Sequence, residues 1–437
     1  MLPEESSLLF SALQRAMRQS SFWRSRFLDI NVQETDLREG FPFHELPPIT
    51  KQDLLEDQAA SPPFGTLLAV SPTEIRRIHR TSGTSSTPLF VALTERDITD
   101  TYIASERAFH LAGVGAGERV AHCLNFNMWS GGVTDYIPLE RLHATAVPFG
   151  AGNTSLLLRL IRSLGINAIS STPSYMFTIA DRCRIELGIE PRELGLRRGY
   201  FGGEGLLQVP GVREFIETTF GMTAVDANYG MSEVLSIIAG EGPERNGLVN
   251  HTHGILYMEL LTPSGESIPI QSGAVGELVF SSLRREAQPL FRYRTNDLAE
   301  IVWTEMGEDG LMRCRFHIRG RTDQMLVIKG VNFFPQSLMS VLSEFDGHVS
   351  QRFCVIRPKP ESHDSVDVVI ERHLAGLESD DLASRIEKRV SALLQIRIRI
   401  IWAPNGCLSE DGNKARYLVD DISDIPGLGS FATRGRD

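Results

Sequence analysis

Cysteine is scarce in this sequence. Five occur in 437 residues, Cys123, Cys183, Cys314, Cys354 and Cys407, widely scattered and never as a CxxC pair. An odd, dispersed set supports neither a disulfide framework nor a cysteine zinc site, and a reducing cytoplasm is the expected compartment. Long apolar runs are missing as well. Nothing approaches the roughly 18 residues that a membrane-spanning helix needs, and the opening Met1-Leu2-Pro3-Glu4-Glu5 is acidic where a secretion signal would be basic. Positive charge is the third shortage: 44 Lys and Arg against 55 Asp and Glu leave a net charge of −11. That balance argues against a nucleic-acid or anionic-membrane partner, although a local basic patch for phosphates stays compatible with it.

What the chain has is apolar content, 42% over 437 residues, enough for a large domain and a smaller one. Leu9, Leu13 and Met17 recur at helical spacing beside Phe10, Phe22, Trp23 and Phe27, which predicts an amphipathic docking helix and an aromatic continuation. From Arg119 short apolar strands (120–124, 166–170, 200–201, 223–227) alternate with helical stretches (155–163, 174–186, 212–218), the pattern of parallel sheet with covering helices. Segments 255–261 and 276–280, bounded by Gly, Pro and Ser, predict a smaller antiparallel part. After Gly320 the order becomes strand (325–329), helix (335–343), strands (352–356, 366–371), helix (380–394) and strand (396–402). The fold class expected is therefore α/β and α+β: a large composite N-terminal domain over 1–322, then a small mobile α+β domain over 323–437.

Five clusters carry chemistry. Thr81-Ser82-Gly83-Thr84-Ser85-Ser86-Thr87-Pro88 is a run of hydroxyls around a glycine, able to wrap phosphate oxygens with O–H and N–H donors, though by itself equally at home in a plain surface loop. It lacks the fixed lysine of a Walker loop. Gly202-Gly203-Glu204 ends a strand, Tyr229-Gly230-Met231-Ser232-Glu233 follows, and then come Tyr293-Arg294-Thr295-Asn296-Asp297 and Gly320-Arg321-Thr322-Asp323-Gln324. This ordered series resembles the motifs TSGTTGxP, YGxTE, YRTGD and GRxDD of the adenylate-forming superfamily of acyl-CoA synthetases, adenylation domains and luciferases. Within it the chain is most similar to the phenylacetate-CoA ligase family. Leu46 to Leu54 resembles its LPxxTKxDL, Thr172-Pro173-Ser174-Tyr175 its TPSYM, 276–294 its GELVFT…PLxRYRT, and Met325 to Pro335 its MLIIRGVNVFP.

The resemblance implies ATP-dependent activation of an aromatic carboxylic acid to an acyl-adenylate, then transfer to the thiol of coenzyme A. It gives Glu233 the magnesium ion and Ser232 the α-phosphate. Thr81, Ser82, Gly83, Thr84 and Ser85 would hold the polyphosphate, and Asp297 and Arg321 the ribose. Gly202, Gly203, Asn228 and Tyr229 would build the adenine slot, and Glu204 and Gly230 would also bind ATP or AMP. Lys414, in Gly412-Asn413-Lys414-Ala415-Arg416, would be the catalytic ammonium, Asp323 the interdomain hinge, and Gly330 the wall of the coenzyme A tunnel. The acid pocket would draw on Asn125, Asn127, Trp129, Ser130, Gly131, Tyr136, Phe201 and Ala227. Trp129 stands where the family has phenylalanine and would shrink the cavity, while the two amides suit a ring hydroxyl or amino group. A hydroxy- or aminobenzoate is thus expected in preference to phenylacetate.

Departures from the family pattern are Ser86 for glycine, Thr87 for lysine, Asn296 for glycine and Gln324 for an acid. Only Cys314 and His317 remain of a stretch that looks metal-binding in relatives, so no zinc is expected. His251 and His253 lack a neighbouring acidic or cysteine partner and are read as a polar strand edge. Gly113-Val114-Gly115-Ala116-Gly117 precedes a strand instead of following it and is not read as a dinucleotide fingerprint. A carrier-protein thiol or an amine as acceptor, a non-catalytic nucleotide-binding relative, and a homodimer all stay open on sequence.

Overall fold

The computed structural model describes residues 3–81, 88–306, 312–328, 331–358, 365–373, 380–408, 415–425 and 428. The chain divides into two compact units, one made of Met1–Gly150 and Val225–Arg319, the other of Ala151–Ala224 and Gly320–Asp437.

The first unit opens with helix Pro3–Gln19, which buries Leu9, Ala12, Leu13 and Ala16, the i, i+3, i+4, i+7 face that the spacing predicts. Ser20 interrupts it and caps the next helix, Ser21–Asp29, by accepting the N–H of Trp23. The Trp23 indole N–H donates to the Pro289 carbonyl at 2.8 Å, and its ring meets Phe291 edge-on at 4.9 Å. Farther on, Thr50 and Asp53 form a reciprocal capping box at the start of helix Lys51–Ala60. Just before that cap, Ile49 donates to the Arg292 carbonyl at 3.1 Å and accepts from Arg294 N–H at 2.9 Å. Buried Arg292 donates to the carbonyls of His44 and Leu46. These bonds fix Lys51 beside the strand that carries Tyr293 and Asp297.

The sheet of this unit is mainly antiparallel. Its order is Ser267–Ile268, Leu256–Leu261, Val275–Ser282, Tyr293–Met306, Met312–Arg321, Leu248–Asn250, Leu235–Glu241 and Thr223–Met231. The same unit holds a parallel pair, Arg119–His122 with Thr145–Pro148. The first of these strands stops two residues short of the expected 124, because the His122 carbonyl accepts both Phe149 N–H and Gly150 N–H and pairing ends there. A hairpin, Arg77–Arg80 with Phe90–Leu93, frames the hydroxyl-rich loop.

In the second unit the parallel strands Ala168–Ser171 and Arg198–Gly202 are accompanied by helices Thr154–Leu164, Pro173–Arg182 and Val212–Phe220. Phe177 and Phe215 stack at 4.6 Å between two of those helices. The helix expected over 174–186 is α-helical to Arg182, widens by one π-type turn over Cys183–Leu187, and ends at Gly188 with φ of +65°. The C-terminal part is a four-stranded sheet in the order Ile398–Ala403, Val366–Arg372, Val349–Ile356, Leu418–Val419, with helix Asp380–Leu394 beside it. Cys354, Val369, Ala403, Val419, Ile425 and Leu428 pack as its core on one side. This is the α+β unit that the sequence order predicts.

Candidate active site

Strands Thr223–Met231 and Leu235–Glu241 form an antiparallel hairpin, and its turn presents Ser232 and Glu233. Gly230 is required there: a Cβ would lie 2.2 Å from the Ser236 carbonyl oxygen. The turn is held from beneath by Arg285, whose Nη1 donates to the carbonyls of Glu233 at 3.0 Å and Val234 at 2.5 Å. Burial holds this guanidinium below its usual value, against the opposing pull of Asp97 and Glu233. Its Nε and Nη2 find no partner among the described residues. They border a cavity of about 20 Å³, lined also by Asp97, Asp100, Ser232 and Ser236, with room for one water. Nothing in the sequence motifs singled out Arg285.

The Glu233 carboxylate has two partners at long range, Lys51 Nζ at 3.2 Å and the Tyr293 hydroxyl at 3.4 Å. Ser232 Oγ lies 2.7 Å from Ser130 Oγ. Two more of the expected residues meet nearby: Tyr229 O–H donates to Asp297 Oδ2 at 2.7 Å. Asp297 is buried, and its own N–H donates to Thr295 Oγ1. Asn296 precedes it at φ of +62°, a conformation that suits glycine best and that asparagine tolerates, so the departure from the family glycine keeps the turn. One strand, Tyr293–Met306, thus carries the partner of Glu233 and the partner of Tyr229. Asn228 Nδ2 donates to Asp135 Oδ1 at 2.6 Å, while its own Oδ1 is buried without a partner among the described residues.

The loop expected to face the acid is built on glycine and aromatic rings. Gly131 lies under the Trp129 indole, where a Cβ would come within 2.9 Å of the ring, and a Cβ on Gly132 would strike the Asn125 carbonyl at 2.2 Å. Asn125 Oδ1 accepts the Asn127 N–H at 2.7 Å, a local turn that fixes one amide, while Asn127 itself is exposed. His122, Phe126 and Tyr136 form a ring cluster with centroids 5.4 to 6.1 Å apart. His122 Nε2–H donates to the Gly132 carbonyl at 2.8 Å, and burial pushes this imidazole down to about 4, so it is neutral at pH 7. His122 was not expected here; the only sequence signal was an apolar strand leading into the Trp129 loop. His79 does similar work from the neighbouring hairpin, donating Nδ1–H to the Met128 carbonyl at 3.2 Å, and burial lowers it too to about 4. Ala227 is fully buried in its strand.

Thr81 is buried, with its N–H on the Leu89 carbonyl at 3.0 Å and its hydroxyl accepting Leu89 N–H at 3.3 Å, so hairpin pairing continues into the loop. Ser82, Gly83, Thr84, Ser85, Gly330 and Lys414 lie outside the described residues, as do Ser86 and Thr87. In the second unit Gly202 closes its strand and Gly203 turns at φ of +83°. Phe201 is buried with its ring over Gly199. Glu204 accepts from Ser174 Oγ and from Ala415 N–H, both at 3.0 Å. Arg321 and Asp323 pair side-on at 3.0 and 2.7 Å, which joins the expected ribose contact to the expected hinge residue. No group of three or more His, Cys, Asp or Glu able to hold a metal occurs among the described residues.

A family model described as AMP-binding enzyme matches residues 32–283, and one described as AMP-binding enzyme C-terminal domain matches residues 330–421. The phenylacetate-coenzyme A ligase of Escherichia coli (strain K12) is 32% identical over 389 residues, which cover 89% of this chain and 85% of that protein. The phenylacetate-coenzyme A ligase of Pseudomonas putida is 30% identical over 416 residues, 94% and 91% of the two chains. A crystal structure of 2-hydroxyisobutyryl-CoA ligase in the postadenylation state, in complex with 2-HIB-AMP, is similar with a TM-score of 0.83 at 26% identity, covering 98% of this chain and 91% of that one. The chain belongs to the AMP-binding enzyme family and, within it, to the phenylacetate-coenzyme A ligase family.

Proposed function

We propose that this acid-thiol ligase activates a compact benzoate bearing a polar ring substituent, a hydroxy- or aminobenzoate, in preference to phenylacetate, and transfers it to coenzyme A. In the first step a carboxylate oxygen of the acid attacks the α-phosphorus of ATP; the new O–P bond forms as the bond to the β-phosphate oxygen breaks and pyrophosphate leaves. In the second the thiol sulfur attacks the acyl carbon, the C–O bond to AMP breaks, and the thiol proton passes to solvent.

The observation that carries the reading is the pairing of two carboxylate sites through one strand: Tyr293 at Glu233 and Asp297 at Tyr229. Glu233, half-buried at the turn with Lys51 at 3.2 Å and Tyr293 at 3.4 Å as its side-chain partners among the described residues, fits a magnesium ion shared with ATP phosphates, since that ion is usually held by one or two carboxylates plus phosphate oxygens. A magnesium ion there would supply positive charge to the phosphates. Ser232 would donate to the α-phosphate and Asp297 would accept from the ribose hydroxyls. Lys414 would offset the charge that grows at the α-phosphate during attack. Residues 323–437 would form the mobile domain, turning about Asp323 to exchange Lys414 for the Gly330 face.

The preference for a small ring rests on the bulky Trp129 indole close over Gly131, and on the neutral ring cluster of His122, Phe126 and Tyr136. The test is acid-dependent pyrophosphate release with ATP and magnesium across aryl acids and small aliphatic hydroxy acids, with and without coenzyme A, and with Lys414→Ala as control. Release that follows a substituted benzoate and yields its coenzyme A ester supports the reading. A panel in which phenylacetate or an aliphatic acid outperforms every benzoate overturns the acid assignment, and adenylate without a coenzyme A ester moves the acceptor to a carrier-protein thiol or an amine.

A further inference from the structure

We infer that Glu204 is a positioning residue for adenylation, a latch that fixes the backbone next to Lys414; the inference rests on the foregoing reading for what Lys414 does. Glu204 follows the sharp Gly203 turn at the end of strand Arg198–Gly202 and is 9% exposed. Its Oε1 accepts the Ser174 hydroxyl at 3.0 Å and the Ala415 N–H at 3.0 Å, and its Oε2 faces the Ser174 N–H at 3.4 Å. Ser174 stands in the first turn of helix Pro173–Arg182, where N–H groups lack helical partners and the helix dipole favours a negative charge. That helix start orients the carboxylate, and the same oxygen then grips a backbone amide 211 residues farther along the chain.

Ala415 is the residue after Lys414. The bond to Glu204 fixes the Ala415 N–H, which is the peptide nitrogen bonded to the Lys414 carbonyl carbon. Other polar contacts among the described residues join the same two segments of this unit, including Arg352 Nη2 to Thr178 Oγ1 at 3.0 Å, Arg184 Nη1 to Asp346 at 3.0 Å, and His373 Nε2 to Asp181 at 3.6 Å. Those hold the four-stranded sheet and its approaches. Of these contacts, the Glu204 bond is the one made to Ala415. A carboxylate is suited to the task because hydrogen bonds to an ionised acceptor are shorter and stronger than neutral ones.

The family resemblance gives Glu204 a place among the ATP- and AMP-binding residues, and the two roles separate kinetically. If Glu204 binds the nucleotide, removing its carboxylate raises KM for ATP. If it is the latch, the same change lowers the turnover of adenylation, which needs Lys414, and spares the transfer step, which does not. The experiment compares the full-length protein with Glu204→Ala and Glu204→Gln in two half-reactions: acid-dependent exchange of labelled pyrophosphate into ATP, and thioester formation from chemically prepared acyl-AMP and coenzyme A. In Glu204→Ala the adenylation turnover is expected to fall roughly ten- to a hundredfold, as for loss of a charged hydrogen bond. KM for ATP should hold, and the ratio of adenylation to transfer should drop by about tenfold or more. Glu204→Gln, which keeps an acceptor oxygen, recovers most of the loss. Ser174→Ala, which leaves the carboxylate less oriented, shifts the ratio the same way by less and serves if Glu204→Ala does not fold. An equal fall in both half-reactions, or a rise in KM for ATP with turnover unchanged, overturns the latch. Amide hydrogen exchange at Ala415 reads the latch without activity: faster exchange in Glu204→Ala is expected, and unchanged exchange overturns it. Absence of pyrophosphate exchange in the unmodified protein with every acid would instead count against the ligase reading, leaving the hydrogen-exchange result to decide the latch alone.

Discussion

The turn that presents Glu233 and the loop from His122 to Tyr136 lie in the same unit and manage polarity in opposite ways. At the turn, ionisable groups are loosely partnered: Glu233 has Lys51 at 3.2 Å and Tyr293 at 3.4 Å, and buried Arg285 steadies the backbone beneath. In the loop, the His122 imidazole is kept neutral, lowered to about 4 by burial against a ring cluster, and the shape is set by Gly131 and Gly132 beneath Trp129 and Asn125. Charge should therefore govern rate at the first and volume should govern acid choice at the second. Glu277 supplies a contrast within the charged region. It is buried, accepts Arg294 Nε at 3.0 Å and Nη2 at 2.5 Å, and takes Asn296 N–H at 2.9 Å, so its capacity is spent on structure.

The largest effect should come from Glu233→Gln. Removing one preorganised charged group from the site is expected to lower kcat/KM for pyrophosphate exchange by roughly 10²- to 10³-fold, whichever acid is used. Raised magnesium should recover part of the loss, and thermal stability should hold. Equal loss with unchanged magnesium dependence would place the metal elsewhere.

Glu277→Ala should do the reverse, costing stability before chemistry. It leaves Arg294 and the Asn296 N–H without their shared acceptor; with Arg294 partly exposed and able to recruit water, the expected loss is about 2 kcal/mol in urea unfolding. The surviving folded fraction should adenylate at near-normal turnover. A rate loss as deep as that of Glu233→Gln, without destabilisation, would erase the distinction between the two carboxylates.

Next in size is an acid-side instability from the buried imidazoles. His79, His122 and His251 are each lowered from 6.5 to about 4, in all three first by burial. Because the folded pKa lies below the unfolded one, the unfolded chain binds more protons between pH 6.5 and about 4, and stability falls as pH drops through that window. Above about 6.5 the contribution is complete. Replacing His122 with Phe should flatten the slope of stability against pH between 4 and 6.5 by about one proton. An unchanged slope would mean that His122 already titrates freely in the folded chain.

Much of this was legible in the sequence, and what was not has physical reasons. Strand and helix order after Gly320 follows from period-2 and period-3.6 apolar patterns, which local burial enforces. Helix Pro3–Gln19 shows its buried face for the same reason. The order and spacing of motifs pointed to the family, and the structure joins Tyr229 to Asp297 and Ser232 to Ser130. Arg285 stayed hidden because its work is done across a long sequence separation, 52 residues to Glu233, and a lone Arg carries no periodic mark; His122 works through near neighbours in sequence, Gly132 and the rings of Phe126 and Tyr136, but a lone His in an apolar strand carries no mark either. The strand of residues 293–306 was missed as an element because its motif reads as a turn, Thr295-Asn296-Asp297, within what is a continuous bent strand.

The smallest change tests the volume side of the contrast. Trp129 is partly buried over Gly131, and phenylalanine there would remove one ring of the indole while keeping an apolar face. If that ring limits the acid, Trp129→Phe makes room for a methylene between ring and carboxylate, and the ratio of kcat/KM for phenylacetate over a substituted benzoate should rise about tenfold, the usual worth of one methylene in an apolar pocket. Turnover with the benzoate should change little, since no charged group of the Glu233 turn has moved. A uniform drop for all acids would make Trp129 a support for the loop, and a ratio that moves the other way would mean that the indole itself holds the longer acid.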